Sequence, residues 1–206
     1  LMDIDVQGNV VSHRIAETVI NVDRRMTYRA VAEILERQND DLIREYGALV
    51  PMFKQMMELS EILRKKRQKR GSIDFDFPEA KIILDEKGMP TAIKPYDRNV
   101  ATKIIEDFML IANETVAEDF YWQEIPFVYR SHDNPDPEKL QQLAVFISNF
   151  GYGMKTMRDE VHPREIQKLL TRIEGSPEEM MISRLALRSM KQAKYTTECT
   201  GHFGLA

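Results

Sequence analysis

Between positions 2 and 22 apolar and polar residues alternate, through Met2, Ile4 and Val6 and then Val11, His13 and Ile15. A period of two marks a strand, and Gly8-Asn9 between the runs supplies the tight turn of a β-hairpin. The period then changes. Thr27 stands as a helix N-cap before residues 28–38, where Val31, Ile34 and Leu35 recur at helical spacing. Asp40 or Asp41 opens a second helical pattern that breaks near Gly47. Pro51, tolerated in a first turn, opens a long amphipathic helix through Phe53, Met56, Met57, Leu59, Ile62 and Leu63, ended by Gly71.

Ile73, Phe75 and Phe77 alternate with Asp74 and Asp76, and residues 82–84 and 91–94 flank the turn Asp85-Glu86-Lys87-Gly88, which predicts a second β unit. Residues 99–122 carry the longest unbroken helical stripe, Ile104, Ile105, Phe108, Met109, Ala112 and Val116, and are expected to form the most buried helix. A short strand at 127–129 follows. Asp136 with Pro137 opens a helix ending near Asn149, and His162-Pro163 opens another, stopped by Gly175. Ser176-Pro177-Glu178-Glu179 reads as a capping box for a last helix reaching about Ala193. The pattern as a whole is α+β, helix-rich with β-hairpins, without internal repeat or low-complexity linker.

At 206 residues, with 43% hydrophobic and 30% charged residues, the chain has the composition of an ordinary folded protein large enough to bury a core. Its one cysteine, Cys199, cannot form an internal disulfide, and nothing near it has zinc-site spacing; this fits a reducing, cytoplasmic setting. No stretch has the length of a membrane span, so no membrane partner is expected. The net charge of −4 argues against phosphate binding over the whole surface, because that affinity comes from clustered Lys and Arg. Any RNA site must be local. Six of the seven residues 64–70 are cationic, which serves a helix C-terminus facing water and equally a phosphate-backbone contact.

No nucleophile elbow, Walker loop or dinucleotide fingerprint is present, and the four histidines have no mutual helical spacing. Asp3 with Asp5, and Asp74 with Asp76, would each share one face of a strand. Such pairs either face solvent, the commoner use, or hold Mg²⁺ for phosphodiester cleavage. On the 99–122 helix, Lys103, Asp107, Glu114 and Glu118 fall on one polar wedge, expected to face solvent. Glu106 does not join them. It lies with Leu110, Asn113 and Ala117 on the flank of the apolar arc, where a carboxylate is costly unless an arginine, a backbone amide or a ligand meets it.

Seven collinear segments carry a resemblance: RRMTYRAV at 24–31, GSIDFDFPEAKI at 71–82, DFMLIANETVAE at 107–118, PFVYRSHDNPDPEKL at 126–140, NFGY at 149–152, LRSMKQAKY at 187–195 and GHFGLA at 201–206. In order and spacing they resemble the bacterial ribonuclease R branch of the RNB-domain family, over essentially the whole chain. The resemblance implies a processive 3′→5′ exoribonuclease that threads single-stranded RNA and releases nucleoside 5′-monophosphates with Mg²⁺. It implies that residues 1–206 are a fragment of a single RNB catalytic domain, cut at both ends. The family's metal-binding aspartates lie upstream of the matching segment, and its catalytic arginine follows in a Ser-Pro-Ile-Arg motif. Asp3 and Asp5 do not fit the aspartate motif, so the fragment alone is expected to be inactive, with no metal ligand of its own.

Three positions carry over as RNA-binding residues. Tyr28, in RRMTY, matches a tyrosine near the terminal nucleotide. Glu106, in KIIEDFM, matches a glutamate that helps prefer ribose over deoxyribose. Phe75, in SIDFDF, matches an aromatic that clamps the base stack. A flat ring stacks on any base, and a carboxylate can accept from a 2′-OH. Non-native self-association of the fragment is also expected. The competing reading is a non-catalytic RNA-binding or scaffold protein with a degenerate RNB fold. A third, a helical docking module using Met56 and Met57, requires those residues to be exposed.

Overall fold

The computed structural model describes residues 1–75, 77, 80–96, 98–155 and 161–205. Among these residues the chain forms seven α-helices and three two-stranded antiparallel sheets, the α+β class expected from the pattern. It divides into two compact units, Leu1–Arg64 with Asp76–Val116 and Lys65–Phe75 with Ala117–Ala206.

The first unit opens with the hairpin of β1 (Met2–Ile4) and β2 (Val10–His13). Its turn is set by Asp5, whose carboxylate accepts the backbone N–H groups of Gln7 and Asn9 at 2.9 and 2.8 Å. Gly8 supplies the φ of 79° that a side chain would resist. The pairing stops at His13, and residues 14–27, predicted in part as strand, form no helix or strand. No described strand pairs with them, and alternation without a partner makes no ladder.

Helix α1 (Tyr28–Leu35) is capped by Thr27, whose hydroxyl accepts from Ala30 N. Helix α2 (Asp40–Glu45) takes Asn39 as its cap rather than an aspartate, because the Asn39 side chain reaches the N–H groups of both Asp41 and Leu42. Helix α3 (Val50–Arg70) follows and ends at Gly71, as its pattern predicts. Ile34, Val50 and Phe53 form the centre of this unit's core, with Met56 packed against them. Met56 therefore belongs to the core, which removes the docking-module reading. The hairpin of β3 (Ala80–Leu84) and β4 (Pro90–Pro95) repeats the first turn's design, with Asp85 accepting from Lys87 N and Met89 N. Helix α4 (Val100–Trp122) starts at Asn99, whose side chain accepts from Ala101 N and Thr102 N.

In the second unit, β5 (Tyr129–Ser131) lies two residues beyond the predicted strand. Helices α5 (Pro137–Ser148) and α6 (Pro163–Ile173) begin at the caps Asp136 and His162, as read from the pattern. The box expected at 176–179 is not what caps α7 (Glu179–Ser189). Glu178 takes the cap position without a side-chain bond, while the Glu179 carboxylate accepts from Gly175 N. The helix stops at Ser189 rather than near Ala193, because β6 (Lys194–Thr196) is drawn into an antiparallel pair with β5. The fully buried aliphatics Ile147, Ile166, Ile173 and Ile182 sit on α5, α6 and α7, so these helices, and not α4, form the best-buried core. Ile73 and Phe75 make no strand. They pack half-buried against this core, and Ile73 N donates to Gly204 O at 2.9 Å. Asp76 lies outside the described residues. No described helix is long and apolar enough to cross a membrane.

Candidate nucleic-acid site

The start of α4 is held to the end of α1 by one hydrogen bond, Val100 N to the Glu36 carboxylate at 2.7 Å. This relates the helix that begins with Tyr28 to the helix that carries Glu106. Tyr28 occupies the first position of α1 and is half exposed, its ring accessible to a flat partner. Glu106 is 38% exposed and pairs with the Arg98 guanidinium at 2.9 Å. The carboxylate on the flank of the apolar arc thus has the arginine partner its position calls for. Phe75 belongs to the other unit, where it packs, partly buried, against the helical core.

Asp107 departs from the solvent wedge assigned to it. It is 1% exposed, accepts from the Ser60 hydroxyl, and pairs with the Arg64 guanidinium at 2.7 Å. Helical spacing groups it with Lys103, Glu114 and Glu118, which reads as solvent-facing. Burial is tolerated here because α3 supplies two donors one turn apart. A signal was present in the sequence: Ser60 stands on the stripe Phe53, Met56, Ser60, Leu63, where a hydroxyl needs a buried partner.

In the second unit, residues 201–205 are fastened to β5 through His132. Its backbone N–H donates to Gly201 O and its carbonyl accepts from Phe203 N, at 3.0 and 2.8 Å. The ring's Nδ1 accepts from Gly204 N at 3.3 Å, so its Nε2–H donates to Lys191 O at 2.8 Å. A Cβ on Gly204 would sit 3.2 Å from Nδ1 of that ring, close enough that the ring would have to give by a few tenths of an ångström. The Arg70 guanidinium donates to Leu205 O at 2.9 Å. This anchoring was not foreseen, since the histidines share no spacing in sequence. Beside it, the Lys194 ammonium hydrogen-bonded to Asp133 holds that carboxyl below its ordinary value.

Asp3 is hydrogen-bonded to Ser12 across the hairpin and Asp5 is occupied by its own turn. Among the described residues no group of three or more His, Cys, Asp or Glu side chains is placed to hold a metal ion.

The RNB domain model matches residues 1–206. Ribonuclease R of Thermotoga maritima is 42% identical over 206 residues, all of this chain and 29% of the relative. The chain spans about a quarter to a third of the length of the curated relatives it matches. Among solved structures, Mycoplasma genitalium RNase R in complex with ribose methylated single-stranded RNA is similar with a TM-score of 0.87 and 27% identity, over 99% of this chain and 32% of that one. Yeast Ssd1, a pseudonuclease, shares the fold with a TM-score of 0.65 at 19% identity, over 97% of this chain and 24% of that one. This chain belongs to the RNB domain family.

Asp107→Ala is expected to lower stability by about 2 kcal/mol, toward the low end for breaking a buried pair because the Arg64 left behind is 28% exposed and can be hydrated. Urea unfolding monitored by circular dichroism checks this through the midpoint at unchanged slope. A shift below about 0.5 kcal/mol, the range of an ordinary surface change, refutes it.

Proposed function

We propose that the chain is part of the catalytic domain of a processive 3′→5′ exoribonuclease that hydrolyses single-stranded RNA to nucleoside 5′-monophosphates with Mg²⁺, in the cytoplasm. The observation that carries the reading is the family match along all 206 residues. The likeness to an RNase R solved with single-stranded RNA supports RNA as the substrate class. In this reading Tyr28 stacks on the terminal base, Glu106 accepts from its 2′-OH, and Phe75 lies against the base stack. The Mg²⁺ ligands and the catalytic arginine belong to parts of the protein outside residues 1–206. The likeness to a pseudonuclease supports one competing reading, an RNA-binding protein that has kept the fold without the chemistry.

The deciding assay uses labelled oligoadenylate with Mg²⁺. A protein extended to the length of the relatives should release mononucleotides from the 3′ end, and residues 1–206 alone should release none. No release by the extended protein would hand the case to the non-catalytic reading. Release by the 206-residue chain would place a metal site within it.

Glu106→Ala in the extended protein should narrow its preference for ribose over deoxyribose by about ten-fold. A hydrogen bond to a charged group is worth about 1.5–3 kcal/mol, and partial exposure puts this one at the low end. Tyr28→Ala should slow both sugars alike, since stacking ignores the sugar. Glu118→Ala, on the exposed side of α4, is the control. Equal slowing of both sugars by Glu106→Ala would make the residue structural.

Val19, Ile20, Ile93 and Trp122 are each more than 70% exposed. The isolated 206-residue chain should therefore self-associate, visible as concentration-dependent sedimentation. A monodisperse monomer that binds no hydrophobic dye refutes this.

A further inference from the structure

The side chain of His132 joins stretches of the second unit that are distant in sequence. His132 directly follows β5, its Nε2–H donates to Lys191 O at 2.8 Å just beyond α7, and its Nδ1 accepts from Gly204 N at 3.3 Å. The backbone of the same residue bonds to Gly201 and Phe203 in a parallel bridge opposite His202. Phe203, 5% exposed, is sunk in the helical core. Those contacts hold residues 201–203 whatever side chain stands at 132. They do not reach Gly204 N, which donates to the ring.

On the other side of Gly204, its carbonyl accepts from Ile73 N at 2.9 Å, and Leu205 O accepts from the Arg70 guanidinium at 2.9 Å. Both peptide groups of Gly204 are therefore held, one by an imidazole and one by the backbone that follows α3. The direction in which the chain passes Leu205 is set at this residue.

Packing alone does not call for the arrangement. Phe203 already buries the apolar surface of the segment, and two hydrogen bonds exchanged with water add little net stability. What the ring adds is geometry, an acceptor and a donor on one rigid plane in a single tautomer. The His202 ring meets it edge to face at 5.0 Å, and a Cβ on Gly204 would lie 3.2 Å from Nδ1.

We propose that His132 is a positioning residue for the hydrolysis: its ring, acting through Gly204 N, sets the path of the chain beyond Leu205. The proposal rests on the hydrolytic reading above, in which the catalytic arginine follows this segment, and adds that its placement is controlled from β5. His132 touches neither RNA nor metal in this role.

The experiment uses the protein extended to the length of the relatives, with two readouts: turnover of oligoadenylate, and amide exchange of residues 201–205 by mass spectrometry. His132→Gln brings an amide nitrogen near the place of Nε2, keeping a donor for Lys191 O, and removes the acceptor for Gly204. Exchange at Gly204 should rise about five-fold, as for one net hydrogen bond lost. Its kcat should fall about ten-fold with KM unchanged, since misplacing a reacting group by about 1 Å costs on the order of a hundred-fold. His132→Asn puts an amide oxygen near the place of Nδ1 and should recover most of both losses. Gly204→Ala tests the contact from the other side by crowding an intact ring, and should lower kcat in the same way. A histidine that serves the fold alone would lower the melting temperature in every variant and separate neither Asn from Gln nor kcat from KM. An unchanged kcat in His132→Gln, equal losses in the Asn and Gln variants, or a loss carried by KM overturns the positioning role. Absence of mononucleotide release by the unsubstituted protein overturns the hydrolytic reading and this role with it, whereas unaltered Gly204 exchange in the Gln variant of an active protein overturns this proposal alone.

Discussion

A carboxylate withdrawn from water, as that of Asp107 is, must be met by donors in fixed places, and α3 meets it with Ser60 and Arg64, one helical turn apart. Two donors on one helix gripping a single residue of another set register and rotation together. Sliding α4 by one residue would move the carboxylate about 1.5 Å along the axis and 100° around it, beyond both partners. Glu106, the next residue back, takes its direction from this clamp. Buried ion pairs add little net stability over a well-packed apolar core, and their best-attested use is to fix registry. That use suits a helix whose buried positions, among the described residues, include two threonines, Thr102 and Thr115, and only two apolar residues, Ala101 and Ile104.

The elements that were legible in the sequence are those specified by local chemistry. Thr27, Asp136 and His162 cap their helices through their own side chains, and the two Asp-x-x-Gly turns close hairpins with no outside help. The elements misread depend on partners distant in the chain. Strand β6 exists because β5, more than sixty residues earlier, pairs with it, and it ends α7 short of its periodic pattern. Ile73 and Phe75 alternate like a strand but are held by Gly204 and a helical core. Asp107 failed for the same reason: periodicity assigns a carboxylate to solvent, and only the approach of Ser60 and Arg64 overrules it. Of the candidate site, the need of Glu106 for a partner could be read from its place on the apolar arc. The identity of that partner, Arg98, could not, because Arg98 precedes the helix and shares none of its period.

Charge in this chain is managed pair by pair. Lys168 and Lys155 hold the Glu165 carboxyl below its ordinary value of 4.5, and Lys194 does the same for Asp133 below 3.8. A carboxyl whose folded pKa is depressed contributes stability above its unfolded value and loses it as pH falls through the folded one, so both pairs strengthen the second unit at neutral pH and fail only in acid. Both are partly exposed, and their worth is screened accordingly.

In the proposed role, Glu106 must exchange Arg98 for a ribose hydroxyl or serve both at once. Its exposure of 38% and that of Arg98, 29%, make their ion pair one of modest strength, on the order of 1 kcal/mol or less. A carboxylate has lone pairs for several donors, so a 2′-OH can join without displacing the guanidinium. Arg98 then holds the carboxylate in place before substrate arrives. A deoxyribose leaves that acceptor with Arg98 and water rather than with nothing. The penalty is therefore smaller than for a fully buried carboxylate, and discrimination by this residue alone is modest. The clamp at Asp107 fixes the rotation of the helix that presents this carboxylate.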